Sequence, residues 1–483
     1  MRAHAARDPR VSRRQALSDA LDVAREALRG ERAWVVGGAV RDRLLGRRVL
    51  DLDVAVEGDP RALARHLALT AGGPAFQLSG RFGAWRVHSP DHEWQIDVAV
   101  LQGDSIQDDL AQRDFTINAI AEPLDGGPLL DPHGGADDLE RGCLRMVSAE
   151  GFDRDPLRVL RLARFAAGLG FEPDPATVAA AAERAPRIVD VAPERVFGEL
   201  KHVLTSDRAV AGLALMDELG LTEHVLPELT QLRGVEQNRF HHLDVHDHTL
   251  AVLEAAIELE RDPAAVFGAE NGAAIAAFLA EPLGDELTRG GALRFGALLH
   301  DAGKPATRDF TAEGNVTFIG HDREGARIAR ETLTRLRASE RLRAHVAALA
   351  EHHLRLGFLV HRRPLDRRAI YRYLKTCEPV EVDVTLLSVA DRIATRGDNA
   401  EPAIAAHLEL ANELLGAALE WRAAGRRTPL VRGTDLAEAL GIDPGPRLGA
   451  LIAAIDEAAY AGEVGTREEA VELARGLLAE APE

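Results

Sequence analysis

Two short stretches carry the same alternation of side chains. Residues 51–56 read DLDVAV and residues 95–100 read QIDVAV. Successive residues of a β-strand point to opposite faces. Leu50, Leu52, Val54 and Val56 therefore face a core in the first stretch, and Ile96, Val98 and Val100 in the second. Asp51, Asp53 and Ala55 share the opposite face, as do Asp97 and Ala99. If the two strands are neighbours, three carboxylates converge, and they repel one another unless divalent cations neutralise them. Carboxylates at this density suit magnesium, which takes a few acids together with phosphates and waters. Two such ions, about 3.5–4 Å apart, clamp the attacking and leaving oxygens of a phosphoryl displacement. A solvated sheet face competes as an explanation for a single D-x-D, and Asp97 in the same alternation weighs against it.

Around these strands the signals alternate between strand and helix. AWVVGGAVRDRLLG (33–46) reads as an apolar strand, a glycine pair and a helix stopped by Gly46. Gly37 and Gly38 let backbone N–H groups approach a phosphate at a helix start. Their spacing is neither G-x-G-x-x-G nor a Walker A loop. RALARHLALTAGG forms a helix between strands. From about residue 150 onward the chain is Ala/Leu/Arg/Glu-rich in helical pattern. The fold class expected is α+β: a head with a mixed or antiparallel sheet, then a long all-α body. Seams are expected near 227–234 and 397–402.

Lys plus Arg number 58 and Asp plus Glu 77, so the net charge is 58 − 77 = −19. A globally basic surface for nucleic acid is thus excluded, but a local basic groove is not. DNA is not an expected partner. No apolar run reaches the roughly 18 residues that a membrane span needs. Cys143 and Cys377 give neither a disulfide framework nor a CxxC knuckle. The Arg-rich start lacks the apolar stretch of a secretory signal and is read as a leader over 1–30. A cytoplasmic protein without membrane contact is expected.

The motifs GGAVRD (37–42), DLDVAVEGD (51–59), QRDFTINAIA (112–121), LLDPHGGADDLERGCLRMV (129–147) and RDPLRVLRLARFAAGLGF (154–171), in this order, resemble the class II nucleotidyltransferases. That family contains tRNA CCA-adding enzymes and bacterial poly(A) polymerases. The resemblance implies that Asp51 and Asp53 bind catalytic Mg2+ and that Asp97 helps activate a primer 3′ hydroxyl. It also implies that Gly37, Gly38 and Arg41 hold the triphosphate, and that Arg113, Asp114 and Asn118 position ribose and phosphates. Asp155 and Arg158, three apart on one helical face, match the base-reading element. A carboxylate accepts from the exocyclic amine of cytosine or adenine, where uracil and guanine present a carbonyl. An N-cap at Asp155-Pro156 is the competing explanation. The family pattern there is E-D-x-x-R, and Arg154 replaces its first acid.

The body concentrates His and Asp in FHHLDVHDHTLAVLEA (240–255), LLHDAGK (298–304), GHDREGA (320–326), LAEHHLR (349–355) and SVADRIA (388–394). Imidazoles mixed with carboxylates suit transition metals or magnesium. The pattern resembles the HD phosphohydrolase domain. By that resemblance His248, His300, Asp301 and Asp391 are metal ligands, and His321 and His353 are accessory ligands or phosphate contacts. The metal is then Ni, Co, Mn or Mg2+.

The domains expected are a leader (1–30), a nucleotidyltransferase head (31–146), a helical neck and RNA-binding body (147–230), an HD domain (231–400) and a tRNA-binding-like helical module (401–483). Residues 266–291 read as an insertion between HD helices. The function expected is addition of C and A to the 3′ end of tRNA from CTP and ATP. Alternatives are CC-only or A-only addition, poly(A) synthesis, an HD phosphohydrolase with a vestigial head, and a non-catalytic RNA-binding scaffold.

Overall fold

The computed structural model describes residues 20–47, 49, 51–79, 83–238, 241–425 and 428–480. Residues 1–19, Leu50 and Phe240 lie outside the described residues. The chain divides into two compact units, Met1–Val225 and Leu226–Glu483.

In the first unit, residues 20–27 form a helix (α1). Ala20, Ala24, Ala27 and Leu28 are buried, so this part of the stretch read as a leader is packed. The head follows as β1 (Ala33–Val36), α2 (Gly38–Leu44), β2 (Asp51–Val56), α3 (Pro60–Ala71), β3 (Ala75–Ser79), β4 (Ala84–His88), β5 (Gln95–Val100), α4 (Ile106–Ala111) and β6 (Ala121–Pro123). The strands form one sheet in the order β3-β4-β5-β2-β1-β6. Only β2 and β5 run parallel, and the sheet is mixed as expected.

Leu52, Val54, Val56, Ile96 and Val98 are buried as the alternation requires. Val100 is not: it is 38% exposed, because pairing with β4 ends at Val98. The acid-bearing face of β2 is open at one end only. At the other end Ala55 packs with Trp34, Val36, Leu101, Ile106 and Leu110, the last two from α4. That cover confines the open surface to Asp51 and Asp53.

Helices α5 (Gly135–Arg141), α6 (Glu150–Arg154), α7 (Leu157–Leu169), α8 (Pro175–Arg184), α9 (Pro193–Leu204) and α10 (Ala209–Glu218) follow in the first unit. α7 packs on α9 and α10 through Leu160, Ala163 and Ala167 on its buried side.

The second unit is helical. Val245–Arg261, Arg289–Leu299, His321–Arg335, Glu340–His352 and Glu381–Ala394 pack together and carry the His/Asp segments. Residues 266–291, read as an insertion between HD helices, are ordered: they run through the helix Ala264–Leu279, broken at Gly268, and a hairpin of Pro282–Gly284 with Leu287–Thr288 into the helix Arg289–Leu299. Phe267, Ile275, Phe278 and Leu283 are buried there. The last helices, Gly433–Leu440, Pro446–Ala461 and Arg467–Glu480, share a core around Leu436, Leu448, Leu451 and Ile455. Among the described residues no helix is long and apolar enough to cross a membrane.

Candidate active site and candidate metal centre

The parallel register of β2 and β5 sets Asp53 directly beside Asp97, with Asp51 two residues back on the same face. On the far side of β5, Arg86 of β4 is the register partner of Asp97 and binds both its oxygens, at 2.7 Å each. Arg86 carried no sequence signal. It compensates Asp97 and leaves Asp53 the crowded acid. Burial, with Asp97 and Asp51 near it, lifts the Asp53 carboxyl to about 6 against the opposing charge of Arg113. An oxygen donor with uncompensated charge, next to a second on the same face, fits a hard divalent cation.

Gly37 sits between these acids and the next motif. Its φ is +71°, and a Cβ there would lie 2.8 Å from Arg113 Nη1 and 3.7 Å from Asp53 Oδ2. Only glycine leaves room for that approach. Arg113 is fixed in turn by Asp109, which accepts from its Nε and Nη2 at 3.1 and 2.8 Å. Arg41 donates to Asn118 Oδ1 at 2.7 Å, and Asn118 donates to Asp114 Oδ1 at 3.0 Å. Asp114 is buried. Although burial opposes its charge, Arg161, Asn118 and the Phe115 N–H hold its carboxyl down at about 2. Its oxygens are occupied, so it anchors Asn118 and Arg161 and presents no free acceptor.

These groups line a cleft of about 440 Å³. Of the eleven head residues expected at the site, nine line it: Gly37, Gly38, Arg41, Asp53, Arg113, Asp114, Asn118, Asp155 and Arg158. Asp51 and Asp97 do not. Asp51 is exposed at the strand start, and Asp97 is turned to Arg86.

Asp155 and Arg158 do not share a helical face. Asp155 is the extended residue between α6 and α7, at φ −144° and ψ 95°. The proline that follows it disfavours helical geometry at that position. Its Oδ1 accepts from the Leu157 N–H at 3.3 Å and its Oδ2 from Arg195 at 2.8 Å. Arg158 donates to the carbonyls of Gln112 and Arg113 at 2.7 and 3.1 Å. The two meet at the cleft through the bend.

Gln102, Asp109, Gln112, Arg161, Arg164 and Phe165 complete the lining and were not singled out in the sequence. Arg158, Arg161 and Arg164 recur every third residue, which is a readable ridge on a helix. Glu199, the partner of Arg161 at 3.3 Å and of Arg164 at 2.9 Å, comes from α9 and carried no local signal.

The second unit holds a separate cluster. His248, His300 and Asp301 form one trio of potential ligands and Asp301, His321 and His353 another, each with its atoms within 4.8 Å and all buried. Asp301 is shared. Its Oδ2 lies 3.2 Å from His300 Nε2, and its Oδ1 lies 3.5 Å from His321 Nε2 and 3.7 Å from His353 Nε2. Asp391 Oδ1 is 3.0 Å from His248 Nε2.

The Nδ1 atoms of His300, His321 and His353 face the carbonyls of Ala297, Phe318 and Ala350 at 2.8, 2.6 and 2.7 Å. A carbonyl only accepts, so each Nδ1 donates and each Nε2 is turned into the cluster, where the neutral ring carries its lone pair. His321 and His353 Nε2 are 3.3 Å apart. His300 Nε2 has no hydrogen bond, although Asp301 beside it raises the imidazole pKa against its burial. Burial, with His300 beside it, pushes His353 down to about 4, so it is neutral near pH 7. Imidazole nitrogens converging on a shared carboxylate fit a metal ion. Lys304, already within LLHDAGK, was missed: its Nζ lies 2.6 Å from Asp301 Oδ2 and 2.7 Å from Gln237 Oε1. A third group, Asp244, His246 and Asp247, lies at a helix start where Asp244 caps the Asp247 N–H. An opening of about 840 Å³ over the cluster is lined by His241, Lys304, His321, His353 and Asp391.

A strand-borne acid platform beside a glycine turn, in a chain whose helical body holds a His/Asp cluster, matches known families segment by segment. Residues 33–145 match the Poly A polymerase head domain. Residues 170–232 match the probable RNA and SrmB-binding site of polymerase A, and residues 245–396 the HD domain. The A-adding tRNA nucleotidyltransferase of Deinococcus radiodurans is 39% identical over 91% of this chain and 94% of its own length. The CC-adding tRNA nucleotidyltransferase of Thermus thermophilus is 35% identical over 91% and 92%. The chain belongs to the tRNA nucleotidyltransferase and poly(A) polymerase family. Its fold is also that of a CCA-adding enzyme solved with ATP (TM-score 0.63, 19% identity, 96% of this chain and 98% of that one). The Thermotoga maritima CCA-adding enzyme complexed with tRNA aligns at TM-score 0.60 and 19% identity, over 98% and 96%.

Proposed function

We propose that the chain adds C and A nucleotides to the 3′ end of tRNA from CTP and ATP, without a nucleic-acid template, in the cytoplasm. The primer 3′ oxygen attacks the α-phosphorus. A P–O bond forms, the bond from that phosphorus to the αβ-bridging oxygen breaks, and pyrophosphate leaves. The observation that carries the reading is the cleft itself, where Gly37, Asp53, Arg113, Asn118 and Arg158 line one opening.

Asp51 and Asp53 would hold Mg2+, which supplies positive charge at the triphosphate. Gly37 and Gly38 give the phosphates close access to backbone, and Arg41 offers its charge from beside Asn118. Arg113 and Asn118 orient phosphates and ribose, anchored through Asp109 and Asp114. Asp97, its oxygens held by Arg86, would assist the 3′ hydroxyl once that clamp yields one of them. Asp155 accepts from the exocyclic amine and Arg158 donates to ring acceptors. UTP or GTP then sets acceptor against acceptor, at a cost of about 1–3 kcal/mol per unsatisfied group.

The second unit would hold Mn, Ni, Co or Mg2+ through His248, His300, Asp301 and Asp391, with His321 and His353 accessory, and act on phosphate esters. The converging Nε2 atoms support this reading. A narrower head activity, A-only or CC-only addition, is favoured by one observation: the Deinococcus and Thermus relatives carry those names.

Asp51→Ala and Asp53→Ala are expected to abolish nucleotide incorporation while thermal unfolding stays cooperative. Incorporation that survives both substitutions removes the metal role assigned to these acids.

A further inference from the structure

A second opening adjoins the nucleotide cleft. It measures about 570 Å³ and is lined by Arg41, Arg47, Arg164, Phe165, His202 and Arg208, with Asp207 as its carboxylate. Arg41, Arg164 and Phe165 line the nucleotide cleft as well, so the two openings share a wall.

The cations of this opening are unevenly compensated. Arg41 binds Asp42 and Arg164 binds Glu199. Arg47 and Arg208 have no carboxylate within ion-pair distance among the described residues, in a chain whose net charge is −19 and whose arginines are mostly paired. Arg208 is also seated tightly: a Cβ on Gly170, at φ +72°, would collide with its guanidinium. Thr205 and Ser206 border it, with their hydroxyls donating to the carbonyls of Lys201 and Ala167. Two uncompensated guanidinium groups on the wall of a nucleotide site form a polyanion track.

We propose that this groove holds the backbone phosphates of the RNA primer immediately upstream of its 3′ end, through Arg47 and Arg208. This rests on the nucleotidyl-transfer reading for the identity of the RNA, but its contacts concern binding alone. The net acidity of the chain makes such a local track the means by which an RNA end is kept near Asp53. Because the contacts are to phosphate, they are independent of base sequence.

The test is equilibrium binding of full-length protein to tRNA lacking CCA, by fluorescence anisotropy across a salt series, without nucleotide. The Arg47→Glu/Arg208→Glu double variant is expected to raise Kd at least tenfold. It should also flatten the slope of log K against log salt by about 0.7–0.9 for each phosphate that is no longer neutralised. Arg47→Lys/Arg208→Lys, which keeps the charge, should retain most of the affinity and controls for folding. Equal Kd and slope in wild type and the Glu variant, or no tRNA binding by wild type, overturns the groove. Failure of the nucleotidyl-transfer reading looks different: tRNA binding would remain charge-dependent while wild type incorporates nothing.

Discussion

Asp53 and Asp97 are register partners across the one parallel pair of the head sheet, and Arg86 clamps only the second of them with two 2.7 Å bonds. The acid left without a clamp is the one raised to about 6.

That asymmetry has a pH signature. The Asp53 carboxyl is raised in the folded chain from 3.8 to about 6, first by burial and then by Asp97. Between those values the native state binds more protons than the unfolded one, so stability falls as pH rises through this window. Metal-free protein should therefore lose about 1–3 kcal/mol between pH 4 and pH 7 through this group. Asp53→Asn should be more stable than wild type without metal at pH 7, and in an Asp301→Asn background, which disables the body cluster, it should remove the rise in Tm that Mg2+ gives. Calorimetry with and without Mg2+ reads both, and a doubly substituted chain stabilised by Mg2+ as much as Asp301→Asn alone speaks against Asp53 as a ligand.

Gly37→Ala should damage fold and site together. Gly37 lies at φ +71° and ψ −135°, outside the left-handed helical region, where an L-residue costs about 1–3 kcal/mol, and the new Cβ would press on Arg113 Nη1. Incorporation should drop at least tenfold, with the larger effect in KM for the nucleotide. Wild-type kinetics in the variant would show that Arg113 does not need its present position.

Much of this site was legible because its signals are local. The alternation in DLDVAV and QIDVAV placed the acids on one face, and the glycine pair marked the turn. Arg86 was not legible: AWRVH carries no pattern that says which strand neighbours β5. Nor was the bend at Asp155, where a pair three apart in sequence straddles two helices instead of sharing one. Arg195 and Glu199 reach the site from about 40 residues downstream, through packing of α9 on α7 that periodicity does not specify. In the body, the His and Asp clusters were visible one by one. The sharing of Asp301 between two trios exists only once the helices pack. Within the stretch 266–291 the helix broken at Gly268 was not legible, because its alanines and glycines carry little amphipathic pattern.

Asp114 should be a stability residue. With its carboxyl held at about 2 in the folded chain, its contribution is present above pH 4 and lost as pH falls toward 2. Asp114→Ala strands the Arg161 guanidinium and should cost about 2–4 kcal/mol, below the value for a fully buried pair because Arg161 keeps 30% exposure. Chemical denaturation at pH 7 measures this. A loss under about 0.5 kcal/mol, the range of an ordinary surface substitution, contradicts the anchoring role.

The body cluster should bind metal independently of the head. Titration of apo protein with Mn2+ or Ni2+ should raise Tm, and Asp301→Asn or His353→Ala should remove most of that rise. Metal content measured by mass spectrometry should fall in parallel. Equal metal content in wild type and both variants would place the ion elsewhere.

Incorporation of each nucleotide onto tRNAs ending before CCA, after C and after CC tests the central claim most directly. C, C and A added in turn from CTP and ATP, then a stop, with UTP and GTP refused, is the predicted result. A alone on the CC-ended tRNA, or C alone on the shorter ones, assigns the narrower activity. No incorporation on any of the three, with Mg2+ present, contradicts nucleotidyl transfer by the head.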